Sequence, residues 1–366
     1  MATFVHTADI HFDTPFSARF SAKEAELRRK EIMQTFREII TAAGERDFLF
    51  ISGDLFDGKF VSAETVAFLK RCFKAISKTK ILISAGNHDP LISGSAYTDE
   101  DWGENVFIFG KDMEYIDFPE LNTRVHGVSF NNSHQEEELF DKVDIHDKWC
   151  NILVIHGEIC SAGNSRYNPI DKTKIEKSGL DYVALGHIHK HEGIQKIGNT
   201  VYSYPGIPEG RGFDETGEKG FITGVSVKGE TSAVWEKLSG REFLIENIDI
   251  SESKDSLHIL ELATDRIEEK GTENIFRIVL TGKADKELVN TELLNEQLRE
   301  KAFYVEVKDE TKPDYNLEEI VAGGGLKGEF VSAMLGVIKD MPDHEKEIGY
   351  MAINIGIQAM ERGQNL

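Results

Sequence analysis

Short apolar runs alternate with amphipathic stretches through the first half of the chain. The continuously apolar run Phe48-Leu49-Phe50-Ile51 is typical of a strand buried on both faces. A capping-box sequence, Ser21-Ala22-Lys23-Glu24, precedes apolar residues that recur at roughly helical spacing from Leu27 to Ile40. The alternation predicts an α/β fold. A second helix is predicted over residues 66–76, and further strands over residues 2–8, 81–83, 152–155 and 182–185.

From about residue 191 the pattern becomes mainly β. Gly198-Asn199 has the composition of a hairpin turn, and Lys228-Gly229 separates the strand-like stretches Phe221–Val227 and Ala233–Leu238. We expect these later strands to form a second sheet that packs on the first, giving an α/β sandwich.

The composition shifts again near residue 240. Strand and helix patterns then alternate as a small β-α-β-α-β domain, with strands at 243–250, 276–280 and 303–307 and helices near 256–269 and 288–301. The sequence predicts three regions: residues 1–240, a small α+β domain at 241–322, and a C-terminal helical tail at 323–366.

The tail begins at Gly323-Gly324-Gly325, which has the character of a hinge. Two amphipathic helices follow, interrupted at Met341-Pro342. Because apolar stripes on a hinged segment can serve as helix-in-groove contacts, the tail is either a docking segment or a pair of helices packed on the small domain. The residues that form the stripes are Phe330, Met334, Val337 and Ile338 in the first helix, and Ile348, Met351, Ile355 and Met360 in the second.

Polar clusters stand just past the carboxyl ends of the predicted strands, at the edge where α/β folds bind ligands. In chain order they are Asp9-x-His11, Gly53-Asp54-x-x-Asp57, Gly86-Asn87-His88-Asp89, His156-Gly157 and Gly186-His187-x-His189. Mixed imidazole and carboxylate ligands suit manganese, iron or zinc better than calcium or magnesium alone. Each cluster by itself has an ordinary explanation, such as a turn or a helix cap. Five in order, each after an apolar strand, predict a dinuclear metal site.

Spacing within the clusters gives a first idea of which side chains act together. Asp9 and His11 are two residues apart, so on an extended segment they point the same way and can hold one ion. His187 and His189 would do likewise if strand geometry continued, whereas a loop would direct them to separate ions. The Asp54 carboxylate can bridge two ions.

The overall composition is that of a soluble globular protein, with 40% hydrophobic and 29% charged residues among 366. No apolar run approaches the roughly 20 residues that cross a bilayer, and the N-terminus lacks a signal-peptide pattern, so we expect no membrane association. Cys72, Cys150 and Cys160 show no metal-type spacing, which favours buried thiols and a cytoplasmic location.

The net charge is −22, with 42 Lys and Arg against 64 Asp and Glu. Proteins that bind DNA alone normally carry a basic surface, because phosphate contacts supply most of the affinity. A DNA-binding reading therefore requires a local basic surface, divalent metals or a partner. The same acidity suits a small-molecule phosphoesterase equally well.

The five clusters resemble the signature of the calcineurin-like metallophosphoesterase superfamily, over about residues 3–227. The resemblance implies a four-layer α/β/β/α sandwich with two divalent metal ions, for which we expect manganese, with iron or zinc as alternatives. It also implies that His88 is not a ligand but the catalytic histidine beside the scissile phosphate. The implied ligands are Asp9, His11, Asp54 and His189 for the first ion, and Asp54, Asn87, His156 and His187 for the second.

Two longer segments are similar to the SbcD/YhaO group of bacterial DNA repair exonucleases. They are the opening stretch His6–Phe16 and the stretch Tyr204–Phe213, which continues into Glu218–Phe221. The small domain after residue 240 resembles the DNA-capping domain of that group. The resemblance implies an exonuclease that acts on DNA ends, with DNA and an SbcC-like coiled-coil ATPase as partners; a homodimer is a further possible assembly.

Asp57 and Asp89 belong to the clusters but are not among the implied ligands, and Arg211 lies in the later stretch Tyr204–Phe213. Some relatives carry a histidine at the position of Asp57, whereas in related phosphatases an aspartate there pairs with the catalytic histidine. We assign Asp57 that role. Arg211 is a candidate phosphate contact, and Asp89 is either structural or functional.

Two other functions use the same metal core. One is a phosphatase or cyclic-nucleotide phosphodiesterase, against which the roughly 120 additional residues and the Pro-Gly-Ile-Pro segment argue. The other is a non-catalytic scaffold that binds DNA ends or an ATPase. The complete set of predicted ligands together with His88 argues against the scaffold.

Overall fold

The computed structural model describes residues 1–140, 143–160, 164–285 and 288–363, excluding the side chains of residues 362 and 363. The chain divides into two compact units, Met1–Phe243 and Leu244–Leu366. The helices of the first unit are α1 (Ala22–Ala43), α2 (Ala63–Ala75), α3 (Ala96–Asp99) and α4 (Lys172–Lys177). Its strands are β1 (Ala2–Thr7), β2 (Phe48–Ser52), β3 (Lys80–Ser84), β4 (Val106–Ile108), β5 (Glu114–Phe118), β6 (Thr123–Val128), β7 (Cys150–His156), β8 (Glu158–Ile159), β9 (Pro169–Ile170), β10 (Tyr182–Gly186), β11 (Gln195–Ile197), β12 (Thr200–Ser203), β13 (Gly220–Val227) and β14 (Glu230–Lys237).

Two six-stranded sheets form the centre of the first unit. The first sheet has the order β14-β13-β1-β2-β3-β4, and the second has the order β11-β12-β10-β7-β6-β5. Strands β1 to β4 are parallel to one another, as are β6, β7, β10 and β12. Parallel neighbours end at the same edge of their sheet, so the loops that follow them are brought together.

The core of the first unit lies between the two sheets. Phe4, Phe50 and Leu82 of the first sheet belong to the same buried cluster as Val154 and Tyr182 of the second. Helix α1 starts at a capping box formed by Ser21 and Glu24, as its sequence predicts, and packs with α2.

Helix α4 contributes to a second cluster that covers the other face of the second sheet. That cluster contains Leu153, Ile155 and Val183 together with Ile175 of α4. The predicted α/β/β/α class is confirmed, although the outer layer on the second sheet is a short helix with loop residues such as Phe140 rather than a row of helices.

One strand assignment from the sequence is wrong. We expected the hairpin around Lys228-Gly229 to belong to the second sheet, but β13 pairs antiparallel with β1, with Ala2 opposite Ser226 and His6 opposite Ile222. Strand β1 is buried on both faces, so a free edge would leave its backbone N–H and C=O groups without partners. The hairpin supplies those partners, and the second sheet is built from strands β5, β6, β7, β10, β11 and β12.

The second unit contains a three-stranded sheet and a group of helices. Its elements are β15 (Phe243–Asp249), α5 (Ser256–Lys270), β16 (Ile275–Thr281), β17 (Lys283–Ala284), α6 (Thr291–Leu298), β18 (Tyr304–Asp309), β19 (Lys312–Pro313), α7 (Leu317–Gly323), α8 (Gly325–Lys339) and α9 (Asp343–Gly363). The sheet order β15-β16-β18 with α5 and α6 between successive strands matches the β-α-β-α-β pattern of the sequence.

The last three helices share an apolar cluster of their own. Val331 and Ile338 of α8 meet Ile353 and Ile357 of α9, and Ile320 of α7 packs against them. The interruption between helices α8 and α9 includes Met341-Pro342, as the sequence predicts. The three-region division at residues 240 and 322 stays a prediction. Within the described residues, no helix has the length and apolar character needed to cross a membrane.

Candidate metal centre

The predicted ligand clusters follow strands whose carboxyl ends meet. Asp9, Asp54 and Asn87 come directly after the parallel neighbours β1, β2 and β3. In the second sheet, His156 of β7 lies opposite Gly186 of β10, so His187 follows at the same edge. The two sheet edges together surround one site.

Glycine allows the two edges to approach closely. A Cβ on Gly186 would lie 1.8 Å from the Ser52 carbonyl oxygen, which no side chain could tolerate. Gly53 has φ +90°, and a Cβ there would lie 2.3 Å from Nδ1 of His156. These positions therefore require glycine both for space and, at Gly53, for backbone conformation.

A first group of donor atoms surrounds Asp9, His11 and His189. The Nε2 atoms of His11 and His189 are 3.3 Å apart, and His189 Nε2 is 3.9 Å from Asp9 Oδ1. Asp54 Oδ2 lies 3.8 Å from His11 Nε2. This is the set that the family resemblance implies for one ion.

A second group surrounds Asn87, His156 and His187. Asn87 Oδ1 lies 3.0 Å from His156 Nε2 and 3.2 Å from His187 Nδ1. Asp54 Oδ2 is 3.6 Å from His156 Nε2, so the Asp54 carboxylate adjoins both groups. His187 and His189 therefore face different groups, the alternative that spacing alone had left open.

The donor chemistry fits cations in both groups. His11 donates from Nδ1 to Asp57 Oδ1 at 3.0 Å, and His189 donates from Nδ1 to Glu215 Oε1 at 2.7 Å. A neutral imidazole that donates through Nδ1 has a lone pair on Nε2. When both rings are in this neutral state, the two Nε2 lone pairs face each other at 3.3 Å, an arrangement that a cation between them would stabilise.

The same reasoning applies to the second group. His156 donates from Nδ1 to the Ser52 carbonyl oxygen at 2.9 Å, so its Nε2 lone pair faces the Asn87 amide oxygen. Two acceptors that face each other need a cation or a proton between them.

Burial keeps two of these histidines neutral. It lowers the pKa of His11 well below its usual value and the pKa of His187 to about 3. Burial alone would raise the pKa of Asp54, but the interactions with the neighbouring imidazoles of His156, His11 and His88 and the hydrogen bond from the His88 backbone N–H outweigh it and lower that pKa. Neutral imidazoles beside an ionised carboxylate are in the protonation states that metal binding requires.

The ligand loops have an unusual backbone. Asp9, His11 and Asp54 have φ values of 53°, 52° and 50°, and His187 has φ 107°. Such conformations cost on the order of 1–3 kcal/mol each for residues other than glycine and concentrate at functional sites. Asp9 and His11 are therefore in a turn and not on an extended segment, so the geometric premise used to pair them is wrong although their side chains do converge.

His88 lies at the solvent-exposed rim of the site. Its side chain is 41% exposed, and its ring meets the His11 ring edge-on at 4.7 Å. Its Nδ1 lies 3.5 Å from Asp57 Oδ1, the oxygen that also accepts the shorter bond from His11. The pairing of Asp57 with His88 stays a prediction, and the geometry gives Asp57 a second contact with a predicted ligand.

Asp89 is buried beneath the loop that carries Asn87 and His88. It accepts hydrogen bonds from the backbone N–H groups of Phe56 and Gly86 and from the Tyr97 hydroxyl, at 3.0, 2.7 and 2.6 Å. Burial raises the pKa of Asp89 to about 7, with a contribution from Asp54. These contacts hold two ligand loops together, which is a structural role.

Arg211 and Glu215 complete the site on the side of His189. Arg211 donates from Nη1 to Asp57 Oδ1 at 3.0 Å and from Nη2 to Glu215 Oε1 at 3.1 Å. Burial opposes ionisation of Glu215, but the hydrogen bond from His189 and the charge of Arg211 hold its pKa at about 2. Glu215 was not among the residues predicted from the sequence, because it lies in the gap between Phe213 and Glu218 and belongs to no motif.

Comparison with known proteins agrees with this geometry. The family model for the calcineurin-like phosphoesterases matches residues 2–191, a little over half of the chain. The chain belongs to the calcineurin-like phosphoesterase family. It is also 29% identical, over 354 residues, to the uncharacterized metallophosphoesterase YhaO of Bacillus subtilis (strain 168), with 87% of this chain and 84% of that relative covered. This calcineurin-like phosphoesterase is therefore a hydrolase of phosphate esters, and its family uses divalent metals.

Proposed function

We propose that this phosphoesterase hydrolyses phosphodiester bonds at DNA ends through a centre of two divalent metal ions. The observation that carries the proposal is the pair of donor groups that adjoin the single carboxylate of Asp54. Two ions that share a bridging carboxylate clamp both oxygens of an in-line displacement at phosphorus. Manganese is the metal we expect, because the donors mix imidazole, carboxylate and amide oxygen.

The residues of the chain have separable tasks in that reaction. When bound, the two ions would stabilise charge on the phosphate oxygens and supply an activated water as nucleophile. Asp54 Oδ1 accepts a hydrogen bond from the His88 backbone N–H at 2.9 Å, which fixes the bridging carboxylate relative to His88. The exposed His88 ring would then steady the developing negative charge or protonate the leaving sugar oxygen, with Asp57 holding its orientation.

Two observations support DNA as the substrate class. The stretches His6–Phe16 and Tyr204–Phe213, which resemble DNA repair exonucleases, both contribute to the site or its walls. One cavity of about 420 Å³ lies beside the donor groups, and it is lined by residues 14–20, Asp57, Arg211, Gly212, Asp214 and Glu215. The second observation is the α+β arrangement of the second unit, with its own three-stranded sheet. Hydrolysis of a small phosphate ester does not require such an additional domain.

An end-labelled DNA digest tests the substrate class. We expect manganese-dependent release of nucleotides from duplex or single-stranded ends, together with hydrolysis of bis-p-nitrophenyl phosphate as a small diester. A phosphomonoester and a cyclic nucleotide serve as the comparison substrates. Preference for the monoester would assign the protein to the phosphatase alternative, and metal-dependent DNA binding without hydrolysis of any substrate would assign it to the scaffold alternative.

We also propose that the helices after Gly323 dock an SbcC-like coiled-coil ATPase, which would help so acidic a chain to hold DNA. Val331, Ile338, Ile353 and Ile357 of α8 and α9 are used in the cluster between the helices. Several apolar side chains of these helices nevertheless remain exposed among the charged ones, and an outward apolar stripe on a helix pair suits a helix-in-groove contact. They are Leu326, Val337, Ile348, Met351 and Ile355, which are 53–75% exposed.

Point substitutions on that outer surface test the docking proposal. Ile348→Glu combined with Ile355→Glu should abolish co-purification with an SbcC-like ATPase while hydrolysis of the small diester is unchanged. Truncation at Gly323 is a poorer test, because it would remove the partners of Ile320 in the shared cluster. ATPase binding that survives both glutamates would remove the support for docking by this surface.

A further inference from the structure

Both histidines of the first donor group form a hydrogen bond to a carboxylate through Nδ1, the ring nitrogen that does not face the donor group. His11 donates to Asp57 at 3.0 Å and His189 donates to Glu215 at 2.7 Å, in each case from the nitrogen that faces away from the other ring. A carboxylate behind an imidazole ligand fixes the tautomer and orientation of the ring and makes the ring a better donor.

Arg211 joins these two carboxylates into one network. Its guanidinium donates to Asp57 from Nη1 at 3.0 Å and to Glu215 from Nη2 at 3.1 Å, and its backbone N–H donates to Glu215 Oε2 at 2.7 Å. The side chains of Arg211, Asp57 and Glu215 are only 19%, 18% and 6% exposed. The chain of contacts therefore runs from His189 through Glu215, Arg211 and Asp57 to His11.

Among the described residues, no carboxylate supports the histidines of the second donor group in the same way. His156 donates from its outward nitrogen to the neutral carbonyl oxygen of Ser52. Anionic support is thus concentrated on one of the two groups.

We propose that Glu215 is a positioning residue of the metal centre, and that Arg211 ties it to Asp57 so that both histidines of one ion site are held by a single network. The inference rests on the two-ion centre of the proposed function and adds residues that act on only one ion. It also gives Arg211 a role different from contact with the phosphate, because most of its donors already have carboxylate partners.

Metal affinity separates this role from general structural support. Wild type and Glu215→Gln are titrated with Mn²⁺ alone, and free Mn²⁺ is followed by electron paramagnetic resonance. Wild type should bind two ions. Glu215→Gln should bind one ion with unchanged affinity and the other about 10- to 100-fold more weakly, which is the usual effect of losing such an outer partner. Excess Mn²⁺ should restore hydrolysis of bis-p-nitrophenyl phosphate by the variant.

Glu218→Gln is the matched control. It makes the same change three residues along the loop, where Glu218 pairs with Lys237 at 2.9 Å and has a 58% exposed side chain. Its Mn²⁺ binding should equal that of wild type.

Asp57→Asn provides an independent arm in case Glu215→Gln does not fold. On its own, Asp57→Asn should weaken the same ion through His11 and leave the other ion bound as in wild type. Where both single variants fold, the double variant Asp57→Asn with Glu215→Gln should still retain one tightly bound Mn²⁺. A double variant that retains none would show that the two carboxylates serve different ions and would overturn the network.

The remaining outcomes also decide the question. Two ions bound equally tightly by wild type and Glu215→Gln would overturn the inference while leaving the two-ion centre intact. Fewer than two ions bound by wild type would overturn the centre itself and the inference with it. For Arg211, an Arg211→Met variant with normal Mn²⁺ binding and a raised KM for the diester would return that residue to phosphate binding.

Discussion

Asp54 is the one predicted ligand that the resemblance assigns to both ions, and its carboxylate adjoins both donor groups. Its carboxylate is 1% exposed, and its Oδ2 atom lies 3.8 Å from His11 and 3.6 Å from His156. Its backbone has φ 50°, a conformation that only the surrounding contacts can maintain. At the scale of single residues, the proposed chemistry therefore depends most on this position.

The first prediction compares Asp54→Asn with Asp9→Asn. Asparagine keeps the size of the side chain but cannot supply a bridging carboxylate, so Asp54→Asn should reduce the affinity for both ions. The resemblance assigns Asp9 to the first ion alone, although its carboxylate also lies within 4.8 Å of donor atoms of Asp54 and His156, so Asp9→Asn should disturb the pair of ions less than Asp54→Asn. Elemental analysis of the desalted proteins measures this directly. Two tightly bound ions in the Asp54 variant would show that the bridging role is wrong.

The second prediction concerns His88. Because its side chain is 41% exposed at the rim and outside both donor groups, His88→Gln should keep the metal content and the melting temperature of wild type. Turnover of the small diester should fall by about 10²–10⁴-fold, the usual contribution of a general acid or base. His344→Gln, on an exposed part of α9, is the control. Parallel loss of metal and activity would make His88 a ligand.

Much of the residue-scale description follows from the sequence. The strand-then-cluster order located five clusters, the family resemblance selected seven ligands from them, and the structure places the donor atoms of those seven near one another. The sequence pattern does not show which residues form hydrogen bonds with these ligand side chains and so orient them. Glu215 reaches His189 only because the chain returns 26 residues later, and the left-handed backbone of Asp9 and His11 arises from contacts with the second loop, such as Asp9 N–H to Gly53.

At the scale of elements, the pattern of apolar residues predicts where strands and helices lie better than which strands pair. Helix α1 is placed by its capping box and Gly44, which are local signals. Strand β13 pairs with β1 because the buried strand β1 needs a hydrogen-bonding partner on its second edge. Local sequence does not indicate which strand supplies that partner. Strands β5 and β6, which complete the second sheet, were also not predicted, because they are short and have mixed polarity.

Strand β6 carries a buried histidine that makes the stability of the fold depend on pH. His126 is 1% exposed, its Nε2 has no hydrogen-bond partner among the described residues, and burial lowers its pKa to about 4. In the unfolded chain the pKa returns to about 6.5. The folded state therefore binds fewer protons between these values, and stability is lost as the pH falls from about 6.5 towards 4.

The third prediction follows from this loss of stability at lower pH. Between about pH 8 and about pH 5.5, wild type should lose about 1 kcal/mol of unfolding free energy relative to His126→Phe, whose side chain does not titrate. Urea unfolding of both proteins at the two pH values gives the difference, in which the other titrating groups cancel. Parallel pH dependence in the two proteins would show that His126 does not contribute.

At the scale of the whole molecule, the net charge of −22 opposes the approach of DNA. The sequence predicts this conflict between an acidic chain and DNA binding. Composition alone does not resolve it, because it does not say where on the surface the charges lie. Near the site the only arginine in the described network, Arg211, is already paired with two carboxylates. Under the proposed function, attraction for the phosphate backbone would then come mainly from the metal ions and from a partner, and the chain's own contacts to DNA would be few.

The last prediction uses salt to count those contacts. Each phosphate that a protein neutralises contributes about −0.9 to the slope of log affinity against log salt on duplex DNA. His88→Gln, which should bind DNA and metals without cutting, allows the affinity for a labelled duplex end to be measured with Mn²⁺ present between about 50 and 200 mM NaCl. We expect a shallow slope for the chain alone and a steeper one when an SbcC-like ATPase is added, because the partner would supply further backbone contacts. Hydrolysis of bis-p-nitrophenyl phosphate by wild type, which involves no DNA backbone, should change little over the same range. If salt weakened the small-diester reaction as much as DNA binding, its effect would be on the metal centre, and the slope could not be read as contacts to DNA.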